Sequence, residues 1–255
     1  MKLMIVGKGG CGKSTVAALL TLGMAERGKR VFLMDADESN IGLYRMLGLE
    51  RPLPLLESLG GKKGFREKTN SPGIGLAGPP LLFPEKITLD SLPAPSVAAK
   101  GEIRIMSLGK IHHFGEGCAC PMGRLFSMFF SSLRLESQDM VIVDTAAGVE
   151  HFGRRLDGQC DHILCVVDPS YESVMMADRV RSFAREADLP VSLVLNRVDP
   201  EVETELRQAL ATHEIIGQIP HSRTVFLNNL KGEPLNIQSS MVEGICSILE
   251  KKLVL

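Results

Sequence analysis

The sequence predicts a single α/β domain in which helices cover both faces of a mostly parallel, twisted sheet. Two patterns carry this prediction. Short β-branched or apolar runs alternate with longer amphipathic stretches along most of the chain, and a glycine-rich loop joins the first such run to the first amphipathic stretch. Alternation of this kind is typical of crossover units that build a parallel sheet. We expect residues 1–255 to form one domain, because 255 residues can bury a sufficient core without disulfides.

Seven apolar runs are candidate strands, and seven strands fit one sheet. They cover residues 3–6, 30–34, 103–108, 140–143, 162–167, 191–195 and 215–219. Longer stretches with apolar residues at three- and four-residue spacing predict amphipathic helices. These stretches cover residues 14–27, 122–135, 172–187, 201–211 and 239–252.

The segment at about 50–100 has a different composition. It holds eight of the chain's 14 prolines, together with many glycines. A structureless loop of this length is rare in a compact domain unless it serves a surface function. We therefore expect an irregular excursion there that faces a partner or moves.

Charge and composition exclude several classes of partner. Lys and Arg number 29 against 30 for Asp and Glu, and Trp is absent, so the chain offers no basic field or aromatic platform for nucleic acid. The first residues enter a strand pattern rather than a signal peptide, and no apolar run reaches the about 20 residues of a membrane helix. We expect a cytoplasmic protein without nucleic-acid or membrane partners. In that compartment its six cysteines point to metal binding, catalysis or burial before disulfides.

The strongest motif is the glycine-rich loop at residues 7–15. It fits the spacing G-x-x-x-x-G-K-[ST] between a strand and a helix, which is the context of a phosphate-binding loop rather than an ordinary glycine-rich turn. Its backbone N–H groups can converge on phosphate oxygens beside the positive end of the helix dipole. Lys13 is expected to neutralise charge on the β- and γ-phosphates, and Ser14 to offer its hydroxyl to Mg²⁺. The expected ATP contacts in the loop are Gly7, Lys8, Gly9, Gly10, Cys11, Gly12, Lys13, Ser14 and Thr15.

The lysine at position 8 narrows the interpretation of the loop. Lys-Gly-Gly-x-Gly-Lys-Ser resembles the deviant Walker A motif of the MinD, ParA and nitrogenase iron-protein class of ATPases. The resemblance implies that Lys8 of one subunit reaches the phosphates bound by the other, so that ATP lies between the subunits of a homodimer. The alternative is a solvated loop lysine.

Acidic residues follow two of the predicted strands, at the carboxyl edge where α/β sheets bind ligands. Asp35 and Asp37 follow the second strand, and Asp144 follows the fourth. In the ATPase class that the loop resembles, these positions are switch I and switch II. The resemblance implies that Asp35 and Asp144 orient Mg²⁺, that Asp37 positions the attacking water and that Gly148 senses the γ-phosphate. The expected catalytic residues are Lys8, Lys13 and Asp37.

Two further positions match the segments that hold the base in this class. Asn196 matches the asparagine that reads the adenine amino group, and Pro220 lies in the segment that lines the other side of the base. A guanine-reading motif would be Asn-Lys-x-Asp, whereas this chain has Asn-Arg-Val-Asp, ending at Asp199. The missing lysine favours ATP over GTP, although the position of Asp199 fits a guanine reader.

The second informative motif is Cys118-Ala-Cys120-Pro. Its i, i+2 spacing can send both thiols to one side of an extended segment, where two thiolates bind one metal ion. A structural site needs about four ligands, which the two chains of a two-fold dimer would supply. A site completed by His112 and His113 of the same chain is a second interpretation, and two free thiols ahead of a helix opened by proline are a third.

Together these motifs resemble the CooC-type carbon monoxide dehydrogenase maturation ATPases. The resemblance rests on Lys8 in the loop, the Asp-x-Asp at 35–37, the Cys-x-Cys-Pro and the Ala-Gly-Val-Glu-His at 147–151. It implies Mg²⁺-dependent ATP hydrolysis to ADP, nickel or zinc at a dimer-shared Cys118 and Cys120 site, and nickel delivery to carbon monoxide dehydrogenase or the related acetyl-CoA synthase. Two other classes remain open: an iron-sulfur electron-transfer ATPase resembling the nitrogenase iron protein, and a MinD- or ParA-like regulator without metal.

Overall fold

The protein forms one eight-stranded sheet. A computed structural model describes residues 1–70, 82–109, 120–148, 160–235 and 241–253. The strands are β1 (Lys2–Gly7), β2 (Arg30–Ala36), β3 (Ala98–Lys100), β4 (Ile103–Ser107), β5 (Asp139–Thr145), β6 (His162–Val167), β7 (Val191–Asn196) and β8 (Ile215–Ile219). Their order is β3-β4-β2-β5-β1-β6-β7-β8, and every pairing is parallel except that of β3 with β4.

Helices cover both faces of this sheet. They are α1 (Lys13–Glu26), α2 (Leu43–Met46), α3 (Leu55–Ser58), α4 (Gly61–Asn70), α5 (Cys120–Ser132), α6 (Tyr171–Glu186), α7 (Pro200–Ala209), α8 (Arg223–Lys231) and α9 (Glu243–Leu253), with a 3₁₀ turn at Ala94–Ser96. Across the described ranges, no helix has the length and apolarity needed to cross a membrane.

Strand side chains alternate between two separate hydrophobic cores, as the period of an extended chain requires. In β1, Met4 and Val6 enter the core beneath α3 to α7, whereas Leu3 and Ile5 enter the core beneath α1, α2 and α9. The predicted α/β class, with a mostly parallel sheet and helices on both faces, is therefore confirmed.

All seven predicted strands are present. The elements that were not predicted are β3, α2, α3, α4, α8 and the 3₁₀ turn. Strand β3 has three residues and lies at the edge of the sheet; the first residue is half-buried and the other two are exposed. Helix α8 is nine residues long and has no buried residue.

The segment at about 50–100 differs from the expected irregular excursion in its described parts. It contains α3, α4, the 3₁₀ turn and β3. Phe65, Phe83, Ile87 and Leu89 are buried in the core beneath α3 to α7. Much of this segment is thus part of the folded layer on one face of the sheet.

Candidate functional site

The phosphate loop begins at the carboxyl end of β1, between β5 and β6. Gly7 has φ +147°, and a Cβ there would lie 2.6 Å from the Val166 carbonyl oxygen. Gly12, the N-cap of α1, has φ +96°, and a Cβ there would overlap the Asn196 amide nitrogen. Glycine at both positions therefore lets the loop pass close to the neighbouring strand ends.

Two consecutive side chains at the end of β7 hold the loop by its carbonyl groups. Asn196 Nδ2 donates to the Cys11 carbonyl oxygen at 2.7 Å. Arg197 Nη1 donates to the Gly10 carbonyl oxygen at 3.0 Å. The arginine was not predicted as a site residue, because no motif of this class assigned it a function.

The two lysines of the loop are engaged within the chain. Lys13 is 6% exposed and its Nζ donates to the Lys8 carbonyl oxygen at 3.1 Å. Lys8 Nζ donates to Ser170 Oγ at 3.0 Å and lies 3.7 Å from a Glu172 carboxylate oxygen. Ser170 in turn donates to Asp168 at 2.7 Å. In this arrangement Lys8 contacts the loop before α6 of its own chain.

The predicted acidic residues meet at the same edge of the sheet. Asp35 and Asp144 are direct register partners on β2 and β5. The backbone N–H of Asp37 lies 3.3 Å from Asp35 Oδ1, and Asp37 lines the cleft in front of the phosphate loop. Gly148 also lies there, because its N–H donates to the Gly7 carbonyl oxygen at 3.3 Å.

Asp144 is the most perturbed acid of the site. It is fully buried, and burial raises its pKa to about 6, although a hydrogen bond from Ser14 and the charge of Lys13 oppose the shift. Asn40 Nδ2 donates to Asp144 Oδ2 at 3.2 Å and to Ser14 Oγ at 3.0 Å. The amide of Asn40, which sequence reasoning did not single out, thus bridges two of the three residues predicted for Mg²⁺, Ser14 and Asp144.

The oxygens of Ser14 and Asp144 fit a hard divalent cation. Asp144 Oδ1 is buried without a hydrogen-bond partner among the described residues, and the Ser14 hydroxyl shares the Asn40 amide with the same carboxylate. Mg²⁺ prefers such oxygen ligands and keeps several waters. In the described part of the chain, no group of three or more His, Cys, Asp or Glu could hold a metal ion.

Cys11 lies inside the loop as a buried thiol. Its side chain is fully buried, and burial raises its pKa despite the nearby charge of Lys13. The position near a helix N-terminus does not make it a reactive thiolate. Cys11 therefore fills space beneath the loop.

A second cleft, of about 320 Å³, continues from Asn196 along α8. Ile219 and Pro220 line one side, and Phe226 lies on α8 at its margin. Asn229 Nδ2 of α8 donates to Thr15 Oγ1 at 3.2 Å, which joins this helix to the start of α1. Sequence reasoning missed α8, although its caps at Ser222 and Gly232 are visible in the sequence. The structure thus brings Asn196 and Pro220 into one cleft, next to the phosphate loop.

Asp199 does not line this cleft. It is exposed and precedes α7 as its N-cap. A guanine reader would have to face the base, so the placement of Asp199 favours adenine.

The cysteine pair lies at the border of the described structure. Cys118, His112 and His113 fall outside the described residues, and so do the residues at 149–151. Helix α5 begins at Cys120, whose side chain is also outside that set. The metal site predicted from Cys118 and Cys120 remains a prediction.

Comparison with known proteins gives the family. The model of the CobQ/CobB/MinD/ParA nucleotide binding domain matches residues 3–235. An uncharacterized ATP-binding protein of Methanocaldococcus jannaschii is 39% identical, covering 98% of this chain and all of that protein.

Two more distant relatives have named functions. The carbon monoxide dehydrogenase accessory protein CooC of Rhodospirillum rubrum is 26% identical over 88% of this chain and 85% of its own length. The septum site-determining protein MinD of Synechocystis is also 26% identical, over 92% of this chain and 81% of its own length.

The fold is that of a solved MinD protein. The cell division ATPase MinD of Pyrococcus furiosus superposes with a TM-score of 0.69 at 18% identity, over 98% of both chains. With the matched family model and the phosphate loop at the carboxyl end of β1, this chain belongs to the CobQ/CobB/MinD/ParA nucleotide binding domain family and is an ATPase of that class.

Proposed function

We propose that this chain is an ATP-dependent metallochaperone, which couples ATP binding and hydrolysis in a homodimer to nickel delivery into a carbon monoxide dehydrogenase or the related acetyl-CoA synthase. The observation that carries the proposal is the sequence motif Cys118-x-Cys120, whose second cysteine is the first residue of α5. The relative CooC, an accessory protein of carbon monoxide dehydrogenase, supports it. Nickel is the cargo in this proposal, and zinc can occupy the same thiolates.

In the proposed ATP step, the protein mainly aligns groups and compensates charge. Lys13 exchanges its bond to the Lys8 carbonyl for the β- and γ-phosphates. Asp37, at the cleft in front of the loop, accepts a hydrogen bond from the attacking water and aligns it. Mg²⁺ would compensate phosphate charge, held by Ser14 and Asp144 with Asp35 orienting its waters. The N–H of Gly148 leaves the Gly7 carbonyl to meet the γ-phosphate.

Adenine is the proposed base. Asn196 and Pro220 face the same cleft, and Asp199 stands outside it. The base would lie between Pro220 and α8, at the side of the loop where Thr15 is tied to Asn229.

Lys8 provides the proposed link between ATP and the dimer. Its amine would release Ser170 and Glu172 and reach the phosphates bound by the partner subunit. Such contacts exist only in the ATP-bound dimer, so ATP favours the closed form and hydrolysis removes that preference. Cys118 and Cys120 of two chains would approach and separate with the same motion, which changes metal affinity.

An anaerobic nickel and zinc titration, combined with measurement of molar mass in ADP and in a non-hydrolysable ATP analogue, tests the metal site. One metal ion per dimer, lost in Cys118→Ser/Cys120→Ser, is expected. The matched control is His112→Ala/His113→Ala, which retains the shared site but would destroy a single-chain site. One metal ion per monomer that persists after dilution to monomers contradicts the proposal.

A second variant tests the ATP step. Asp37→Asn is expected to bind ATP yet hydrolyse it at least about a hundredfold more slowly, the scale of a lost general-base or positioning group. Asp199→Asn is the matched control, because Asp199 is exposed and lies outside the base cleft. Wild-type turnover in Asp37→Asn would remove Asp37 from its proposed role.

A MinD-like regulatory ATPase without metal is the second candidate function. The MinD relative of Synechocystis, as similar to this chain as the CooC relative, favours it. It predicts ATP-dependent dimers that bind no nickel or zinc in the titration above.

A further inference from the structure

Arg197 has a backbone conformation that only two non-glycine residues adopt in the described part of the chain, the other being Asp188. Its φ is +59°, whereas that of Asp188 is +55°. The left-handed region is unfavourable for a residue with a Cβ, and such strain persists only where surrounding structure imposes it. Here the Arg197 N–H donates to the Ile219 carbonyl oxygen at 2.8 Å, which ties the strained turn to the end of β8.

The strained turn places the arginine at the junction of two clefts. Arg197 lines the cleft of Asn196 and Pro220, and it also lines the cleft in front of the phosphate loop. Its Nη1 donates to the Gly10 carbonyl oxygen at 3.0 Å. The side chain thus reaches from the base side of the site to the phosphate side.

Asn196 acts on the next carbonyl of the same loop. Its Nδ2 holds the Cys11 oxygen at 2.7 Å, so adjacent residues of β7's end hold adjacent carbonyls of the loop. The C=O and N–H of one planar peptide point in opposite directions. Holding the Gly10 and Cys11 carbonyls therefore orients the N–H groups of Cys11 and Gly12. The Cys11 N–H donates to the Lys8 carbonyl oxygen at 3.4 Å within the loop, so of these two groups it is the Gly12 N–H that the contacts orient for a phosphate oxygen.

We propose that Arg197 is a positioning residue for nucleotide binding: its guanidinium keeps the phosphate loop in the form that receives a diphosphate, at the expense of a strained backbone. The inference concerns the nucleotide site of the proposed ATPase and involves neither the cysteine pair nor a client enzyme. Loss of the metallochaperone proposal would leave it intact, and its own failure would leave metal binding untouched.

The experiment compares Arg197→Gly, Arg197→Ala and Arg197→Lys by calorimetric titration with Mg²⁺·ADP and with adenosine, alongside thermal unfolding. Arg197→Gly and Arg197→Ala should each weaken ADP binding by about tenfold, the scale of one hydrogen bond to a charged group. Both variants should bind adenosine with an affinity within about twofold of wild type. Lys should recover part of the ADP affinity, because it restores a cationic donor. The melting temperature of Arg197→Gly should be equal to or above that of Arg197→Ala, because glycine adopts positive φ without strain.

Asp188→Gly is the matched control, since it relieves the other positive φ away from the site; it should leave ADP affinity unchanged. Wild-type ADP affinity in Arg197→Gly would overturn the proposal. So would an equal loss of ADP and adenosine binding, which would indicate general damage to the site rather than positioning of the phosphate loop.

Discussion

Substitution of Gly12 by alanine tests how the phosphate loop is held against β7. Gly12 has φ +96°, and a Cβ at this position would overlap the Asn196 amide nitrogen. That nitrogen is the donor to the Cys11 carbonyl oxygen. Gly12→Ala therefore strains the backbone and also displaces Asn196.

The two effects can be given separate magnitudes. Positive φ in a residue with a Cβ costs about 1–2 kcal/mol. A buried group that loses its hydrogen-bond partner costs a further about 1–3 kcal/mol. Asn196 is 3% exposed, so water cannot readily replace the lost contact. Gly12→Ala should lower the free energy of unfolding by about 2–5 kcal/mol and abolish ADP binding.

Gly28→Ala separates strain from overlap. Gly28 has φ +79°, but nothing lies within 4 Å of the position of its Cβ. Urea unfolding should give Gly28→Ala only the strain cost of about 1–2 kcal/mol, with ADP affinity retained in a parallel titration. If both variants lose the same stability, or if Gly12→Ala binds ADP normally, the overlap with Asn196 does not occur as described.

Three other predictions concern charge, the cation site and the dimer. Burial lowers the pKa of His162 from 6.5 to about 4; because the unfolded chain takes up this proton first, the contribution of His162 to stability is complete above about pH 6.5 and falls by about 3 kcal/mol as the pH drops towards 4. Asp144, whose pKa is raised to about 6, changes stability in the opposite sense over the same range, so the effect of His162 is measured as the difference between the urea melts of wild type and His162→Gln. That difference should shift by about 3 kcal/mol between about pH 6.5 and 4, and a difference independent of pH would contradict the assignment. Asn40→Ala removes the amide that bridges Ser14 and Asp144. It should destabilise the nucleotide-free protein by about 1–3 kcal/mol and the Mg²⁺·ADP form by less. An equal loss of melting temperature in both forms would refute this prediction. Lys8→Ala should abolish the ATP-dependent increase in molar mass while retaining ADP binding. Ser170→Ala, which removes the contact partner of Lys8, should still form the dimer. ATP-dependent dimers of Lys8→Ala would exclude a contact of Lys8 with the nucleotide of the partner subunit.

The sheet could be predicted because its strands are continuous apolar runs. β1 and β5 alternate their side chains between two cores, and both faces are buried, so the runs are unbroken. β3 is only Ala98–Lys100 at an edge, too short and too exposed to be distinguished from a loop. α8 is also short and little buried: Val225 is partly buried against the core, and the helix otherwise lines the cleft with residues such as Phe226 and Leu230.

The residues of the candidate site fall into two groups, according to whether their contacts are local or distant in sequence. Residues within a sequence motif, such as Lys13 and Asp144, could be predicted as neighbours of the phosphate loop because the motif is local, and both lie at that edge of the sheet. Asn40, Arg197 and Asn229 carry contacts across strand ends that are far apart in sequence. Only the sheet order brings these partners together, so spacing along the chain holds no signal for them.

Helix α8 has a consequence for how nucleotide enters and leaves. No residue of α8 is buried, and Phe226 and Leu230 are 59% and 72% exposed. A helix with so little apolar burial opens at a free energy far below that of global unfolding. With the proposed base site in this cleft, its outer wall can fray while the sheet stays folded, so we expect amide hydrogens of α8 to exchange quickly in the free protein and slowly once a base rests against it. The rate at which nucleotide leaves should then depend on the opening of α8 as well as on the phosphate loop.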